Sequence, residues 1–216
     1  MPLQPVSFLS AEPGGPVLEG VLSLPEGPSV FPGVVVCHPH PQRGGTMDNN
    51  VVDAVCGALQ AIGVGTLRFN FRGVGGSGGQ YTGGPGEEED ARGALACLAG
   101  APGTDRTRIG LAGYSFGARI AMAVAAKDHH LAGLAVISGT GQGLAASGDL
   151  ASSPCPKLFI CGDRDTNVNA EQLQAFVDAM PEPKELRIVP GVDHFWWGSE
   201  GLLGEVVAGF FSRKFA

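Results

Sequence analysis

Between an apolar run and an alanine-rich run lies Gly113-Tyr114-Ser115-Phe116-Gly117, and no other stretch so restricts what this chain can fold into. Ile109-Gly110-Leu111-Ala112 ahead of it reads as a buried strand, and Ala118-Arg119-Ile120-Ala121 behind it as a helix. The five residues between must turn the chain sharply, which forces the Ser115 backbone into a strained conformation. Glycines two residues away on each side let strand and helix approach without a Cβ clash. The Ser115 hydroxyl then projects from the apex, with a helix N-terminus directly behind it.

The spacing by itself is weak, because 35 of the 216 residues are glycine and Gly75-Gly76-Ser77-Gly78-Gly79 satisfies it as well. That second match runs on into Gln80-Tyr81-Thr82-Gly83-Gly84-Pro85, which cannot start a helix at once. Context therefore selects Ser115 over Ser77. Gly73 to Gly78 also fits G-x-G-x-x-G, but a dinucleotide site needs those glycines to open a helix, so a structural turn near the rim of the site is the better reading.

Along the chain, Val6–Leu9 and Val17–Leu24 are β-like runs separated by Glu12-Pro13-Gly14-Gly15-Pro16, which predicts an N-terminal antiparallel hairpin. Val34–Cys37 is continuously apolar, as expected of a strand covered on both faces. A helix over Asp48–Ile62 stopped by Gly63, a strand over Val64–Phe71, a Gly-rich loop over 73–86 and a helix from Glu87 through Leu98 follow. The run Glu87-Glu88-Glu89-Asp90 reads as a solvated helix start that complements the helix dipole. Strands at Thr107–Ala112, Leu131–Ile137, Lys157–Cys161 and Glu185–Val189 alternate with helices ending near Lys127 and spanning Ala170–Met180 and Leu202–Phe211. This alternation predicts one α/β domain over 1–216, a mostly parallel, doubly wound sheet with the antiparallel hairpin at its start. Residues 139–154, rich in Gly, Ala and Ser, are the longest unassigned segment, too short for a cap domain.

Composition excludes several classes of function. A net charge of −7 and an isoelectric point near 5.1, with no basic stripe, argue against nucleic acid as a partner. No apolar run approaches the roughly 20 residues that cross a bilayer. The start Met1-Pro2-Leu3-Gln4-Pro5 has no basic-then-apolar pattern, so the expectation is a cytoplasmic protein, of undetermined oligomeric state, with no membrane partner. Cys37, Cys56, Cys97, Cys155 and Cys161 are odd in number, sit mostly in apolar runs and lack C-x-x-C spacing, which favours reduced buried thiols.

A serine hydroxyl attacks only when a base removes its proton, and the base needs an orienting acid. Gly162-Asp163-Arg164-Asp165 follows an apolar strand and offers two carboxylates. Asp193-His194-Phe195-Trp196 follows the last strand and offers a histidine. Both loops, like the Ser115 turn, leave the carboxyl edge of the predicted sheet, where open α/β sheets place ligands. Taken singly, Ser115 could cap a helix, the aspartates could stabilise turns and His194 could be structural. Their joint occurrence in the order Ser, Asp, His favours chemistry. For an oxyanion, the Phe116 N–H after the nucleophile is one donor. The second donor should come from His38-Pro39-His40-Pro41, where the prolines have no N–H and His40 is left. A metal held by His38, His40 and Asp48 matches no strong spacing, so neither metal nor cofactor is expected.

Taken together these residues resemble the α/β-hydrolase superfamily, and within it the small lidless bacterial members related to dienelactone hydrolases and carboxylesterases. The resemblance rests on His38-Pro39-His40-Pro41 with Gly44-Gly45, Asn70-Phe71-Arg72-Gly73-Val74-Gly75, Gly113-Tyr114-Ser115-Phe116-Gly117, Gly162-Asp163-Arg164-Asp165 and Asp193-His194-Phe195. It implies an α/β-hydrolase fold with no cap domain, Ser115 as nucleophile, His194 as base and, from the fourth position of G-x-x-D, Asp165 as the acid. Serine stands where dienelactone hydrolases proper use cysteine, and the loop at His40 differs from the H-G-G-G of many esterases. The implied activity is hydrolysis of a small-molecule carboxylic ester with a short acyl chain, in a shallow pocket walled by Met47, Tyr81, Phe195 and Trp196.

Overall fold

The central apolar runs around Val35, Ala135 and Ile160 become strands whose two faces are both covered, whereas the first run forms a largely exposed edge strand. The computed structural model describes residues 1–27, 29–140 and 150–216. Strands β1 (Leu3–Leu9), β2 (Val17–Ser23), β3 (Phe31–Cys37), β4 (Gly65–Phe69), β5 (Thr104–Tyr114), β6 (Gly133–Ile137), β7 (Lys157–Gly162) and β8 (Lys184–Val189) form one sheet in the order β1-β2-β4-β3-β5-β6-β7-β8. β1 and β2 pair antiparallel with Leu9 opposite Val17, β2 also runs antiparallel to β4, and β4 through β8 run parallel. The sheet is thus the mostly parallel one expected, with the hairpin at its edge.

Side chains along β3 show why the strand is apolar throughout. Val35 and Cys37 point into one core with Leu98, Leu111 and Ile120, while Val34 and Val36 point into the other with Val51, Val55, Leu59 and Val207. Helices α2 (Pro85–Gly100), α3 (Phe116–Ala125) and α4 (Ala170–Asp178) cover the first face. Helices α1 (Asn50–Ala61) and α5 (Glu200–Phe215) pack together on the second. Asn49 caps α1 by accepting the Val51 N–H, and Gly63 at φ 81° follows its last turn, as the sequence leads one to expect. Of the segment 139–154, residues 141–149 lie outside the described residues, and Leu150–Ser152 form a single 3₁₀ turn.

The acidic run at the start of α2 departs from its reading as a solvated face. Glu87 and Asp90 are fully buried. Glu87 accepts the Thr82 and Gly84 N–H groups and the Thr82 hydroxyl, closing the helix start from within. Asp90 receives the Arg72 guanidinium, Nη2 to Oδ1 at 2.8 Å, together with the Arg72 N–H. Arg72 also bonds Ser10 Oγ and pairs with Glu12 of the hairpin. A buried cation and a buried anion each need such partners, because an unpaired charge there is costly.

The loop after β4 is fastened by the hairpin as well. Glu19 Oε1 accepts from Asn70 Nδ2 at 2.6 Å and from the Gly76 N–H at 2.7 Å. Ser77, the rejected match to the serine motif, is buried, donating to the Asn70 carbonyl and accepting the Glu19 N–H. It holds a turn, as does the G-x-G-x-x-G segment, in which the Gly73 N–H bonds the Gly78 carbonyl.

Candidate active site

Ser115 stands between β5 and α3 at φ 55°, ψ −109°, a backbone region that residues with a Cβ seldom occupy. Its N–H is tied to the Ile137 carbonyl at 2.9 Å, which anchors the turn to the neighbouring strand. A Cβ at Gly113 would lie 2.2 Å from the Gly117 carbonyl oxygen, and one at Gly117 would lie 2.4 Å from the Cys37 oxygen and 2.6 Å from that of His38. Both glycines are therefore required by close approach. Gly117 additionally lets the start of α3 press against the loop that leaves β3.

Asp165 and His194 come from the loops after β7 and β8, and both are buried. His194 Nε2 lies 3.0 Å from Ser115 Oγ, and its Nδ1 lies 2.8 Å from Asp165 Oδ2 and 2.9 Å from Oδ1. With the carboxylate on Nδ1, the neutral imidazole carries its proton there and accepts from the serine hydroxyl at Nε2. Asp165 Oδ1 also accepts the Asn167 and Val168 N–H groups, which fixes the carboxylate. The histidine is held from behind, since the buried Tyr114 hydroxyl donates to the His194 carbonyl at 2.8 Å. Asp163, the other carboxylate of that loop, accepts the Gly191 N–H at the surface and does not touch His194.

Phe116 is the first residue of α3, where an N–H has no intrahelical acceptor. The ring of His40 lies 5.0 Å from that of Phe116 and 5.3 Å from that of Tyr81. His40 Nδ1 accepts the Gln42 N–H, leaving the Nε2 proton toward Tyr81 Oη at 3.3 Å. Desolvation, then the charges of Arg43 and Arg119, hold the His40 imidazole below its usual pKa.

His38 is fully buried and does not join a metal site. Its Nδ1–H donates to the Pro39 carbonyl at 2.6 Å, and its Nε2 accepts the Phe71 N–H at 3.0 Å, so neither nitrogen is left to ligate. Burial lowers its pKa to about 4, against the bond to Pro39, which acts the other way. Asp48 pairs instead with Arg68. Burial pushes the Cys37 thiol well above its usual range, and all five cysteines are free.

A cleft of about 990 Å³ opens over Ser115 and His194. Of the four residues named for the pocket wall, Tyr81 and Phe195 line this cleft, and Met47 and Trp196 do not. Trp196 is entirely buried in the core beneath α1 and α5, its Nε1–H donating to Ser138 Oγ at 3.0 Å. The turn that carries it at φ 63° and the Asp193 carboxylate that accepts its N–H point this ring inward while Phe195 stays outside. Met47 has its main chain taken by Asn70 and Arg68, away from the cleft. Sequence reasoning also passed over Arg43 and Arg119, which both line the cleft. The available signal was position: Arg119 stands one helical turn after Ser115, and Arg43 lies inside the loop that carries His40.

Residues 87–200 match the model of the dienelactone hydrolase family. An uncharacterised protein of Rickettsia prowazekii is 33% identical over 172 residues, 76% of this chain and 72% of that protein. Among solved structures, an alpha-beta serine hydrolase homologue from Coxiella burnetii is 37% identical with a TM-score of 0.83, covering 95% of this chain and 96% of that one. An α/β serine hydrolase without a lid from Xanthomonas campestris is 29% identical with a TM-score of 0.81, covering 99% and 96%.

Proposed function

This chain belongs to the dienelactone hydrolase family, within the α/β serine hydrolases, and from that premise we propose that it hydrolyses carboxylic esters of small acyl groups through an acyl-enzyme on Ser115. The observation that carries the proposal is the unbroken line of hydrogen bonds from Asp165 through His194 to Ser115 Oγ. In this reading His194 Nε2 takes the hydroxyl proton as Oγ bonds to the ester carbon. Asp165 stabilises the imidazolium that forms. The N–H groups of Phe116 and His40 receive the charge that develops on the carbonyl oxygen. Collapse breaks the acyl C–O bond, and the proton on Nε2 leaves with the alcohol. Water, deprotonated by the same imidazole, then releases the acid and restores Ser115.

The proposal predicts that a fluorophosphonate probe labels Ser115 and that Ser115→Ala abolishes turnover of an acetyl or butyryl ester while the protein stays folded. Undiminished turnover by that variant would remove Ser115 from the chemistry. A folded wild type that neither labels nor hydrolyses would instead favour a scaffold that only binds. The family match also favours a lactone as substrate, with a thioester or amide as further bonds the same groups could cleave. Comparing kcat/KM for a dienelactone, a thioester, an anilide and a butyrate ester distinguishes these, and a dienelactone hydrolysed far faster than the ester would replace the ester reading.

A further inference from the structure

The chain carries a net charge of −7, yet the cleft over Ser115 is lined by Arg43 and Arg119 and, among the described residues, by no aspartate or glutamate. Asp165 lies beneath His194 and is engaged with it. Glu87, at the start of the helix that follows Gly83, is fully buried and already accepts three bonds from Thr82 and Gly84. Neither Arg43 nor Arg119 is ion-paired among the described residues.

Arg119 is also held in place. Its Nη2 donates to the Gly83 carbonyl at 2.7 Å and its guanidinium lies over the Phe116 ring, 4.8 Å from the centroid. That posture leaves other N–H groups of the planar fork for a ligand and limits the side-chain entropy lost on binding one. Both arginines line the same cleft, Arg43 from the loop that carries His40 and Arg119 from the first turn of α3.

The wall has a direction relative to the chemistry. A leaving oxygen must sit at His194 Nε2 to receive its proton, so the alcohol extends on the side of His194, Phe195 and Asn167. An acyl chain leaving the reacting carbon on the other side would pass toward Tyr81, Arg119 and Arg43, which line the same cleft. We propose that the cleft selects esters whose acyl chain ends in an anion, that is, monoesters of short dicarboxylic acids, with Arg43 and Arg119 receiving the distal carboxylate. The inference rests on the ester reading above and names the substrate class for the same site.

The test compares kcat/KM for monomethyl succinate and monomethyl glutarate with methyl butyrate and methyl pentanoate. The anionic monoesters should be favoured by about tenfold or more, the size expected of charge-assisted hydrogen bonds. The preference should shrink as salt is raised. Arg43 is exposed, so Arg43→Glu leaves packing alone and should invert the preference, and Arg119→Gln should bring the ratio toward one. A second readout does not need turnover: glutarate should slow fluorophosphonate labelling of Ser115 at lower concentration than butyrate does. Equal or better hydrolysis of the neutral esters, or equal protection by the two acids, overturns the proposal while leaving the ester reading intact. Labelling of Ser115 with preferential protection by glutarate, but no hydrolysis of any ester, overturns the ester reading and keeps the anionic subsite.

Discussion

The strain at Ser115 makes a prediction whose sign is unusual, since removing a side chain should stabilise the protein. At φ 55°, ψ −109° a residue with a Cβ is disfavoured by about 1–3 kcal/mol, whereas glycine occupies this region freely. Ser115→Ala and Ser115→Gly both lose the hydrogen bond to His194, so their difference isolates the backbone. Glycine returns about 0.4–1 kcal/mol of this through the greater freedom of its unfolded chain. The net expectation is Ser115→Gly more stable than Ser115→Ala by roughly 1–2 kcal/mol. At roughly 2–4 °C per kcal/mol for a chain of this size, its midpoint lies about 2–8 °C higher. Differential scanning calorimetry at one pH measures both variants. A glycine variant that melts at or below the alanine variant refutes the claim that the turn stores strain.

Asp165→Asn should lower kcat on an ester by about 10³–10⁴-fold, because the amide can hold the wrong imidazole tautomer, whereas Asp163→Asn should cost little; similar losses in both would remove the distinction between the two carboxylates. Trp196→Ala should destabilise by about 3–5 kcal/mol, and Trp197→Ala, at a residue 71% exposed, should stay within about 0.5 kcal/mol, as urea titration would show. His38 is held near a pKa of about 4, below its unfolded value of 6.5. The unfolded chain therefore binds the extra proton between those values, and stability is lost as pH falls through that window. His38→Asn should be less stable at pH 7 but should show a shallower fall in melting temperature from pH 6.5 to pH 4; an unchanged slope would exonerate His38.

The central strands were legible because both faces of the sheet are buried there. That makes β3 apolar at every position facing a core, and the same pattern recurs in β6 and β7. Ser115, Asp165 and His194 were legible because each follows such a strand at the carboxyl edge. What escaped the sequence depended on partners far along the chain or on the twist of a loop. Glu87 and Asp90 looked like a solvated face because nothing near them reveals that Thr82 and Arg72 are turned toward them. Trp196 and Trp197 are identical in one-letter code, and only the Asp193 turn and a positive φ send one inward. Arg43 and Arg119 belong to elements that meet at the cleft only after the sheet has formed. The tail of the predicted strand over Val64–Phe71 was lost for a related reason, since the hairpin and α2 take up Asn70 and Arg72 once β4 has ended at Phe69.

The bonds from the N-terminal hairpin to the loop after β4 give that remote element a hold on the wall of the cleft. Glu19, Ser10 and Glu12 grip Asn70, Gly76 and Arg72, and a few residues further on the same loop delivers Tyr81 and the Gly83 carbonyl that seats Arg119. The hairpin works like the footing of a retaining wall: it never meets the substrate, but the wall leans if it shifts. Drift in the first twenty residues of a relative would therefore register as altered substrate preference before it registered as lost catalysis.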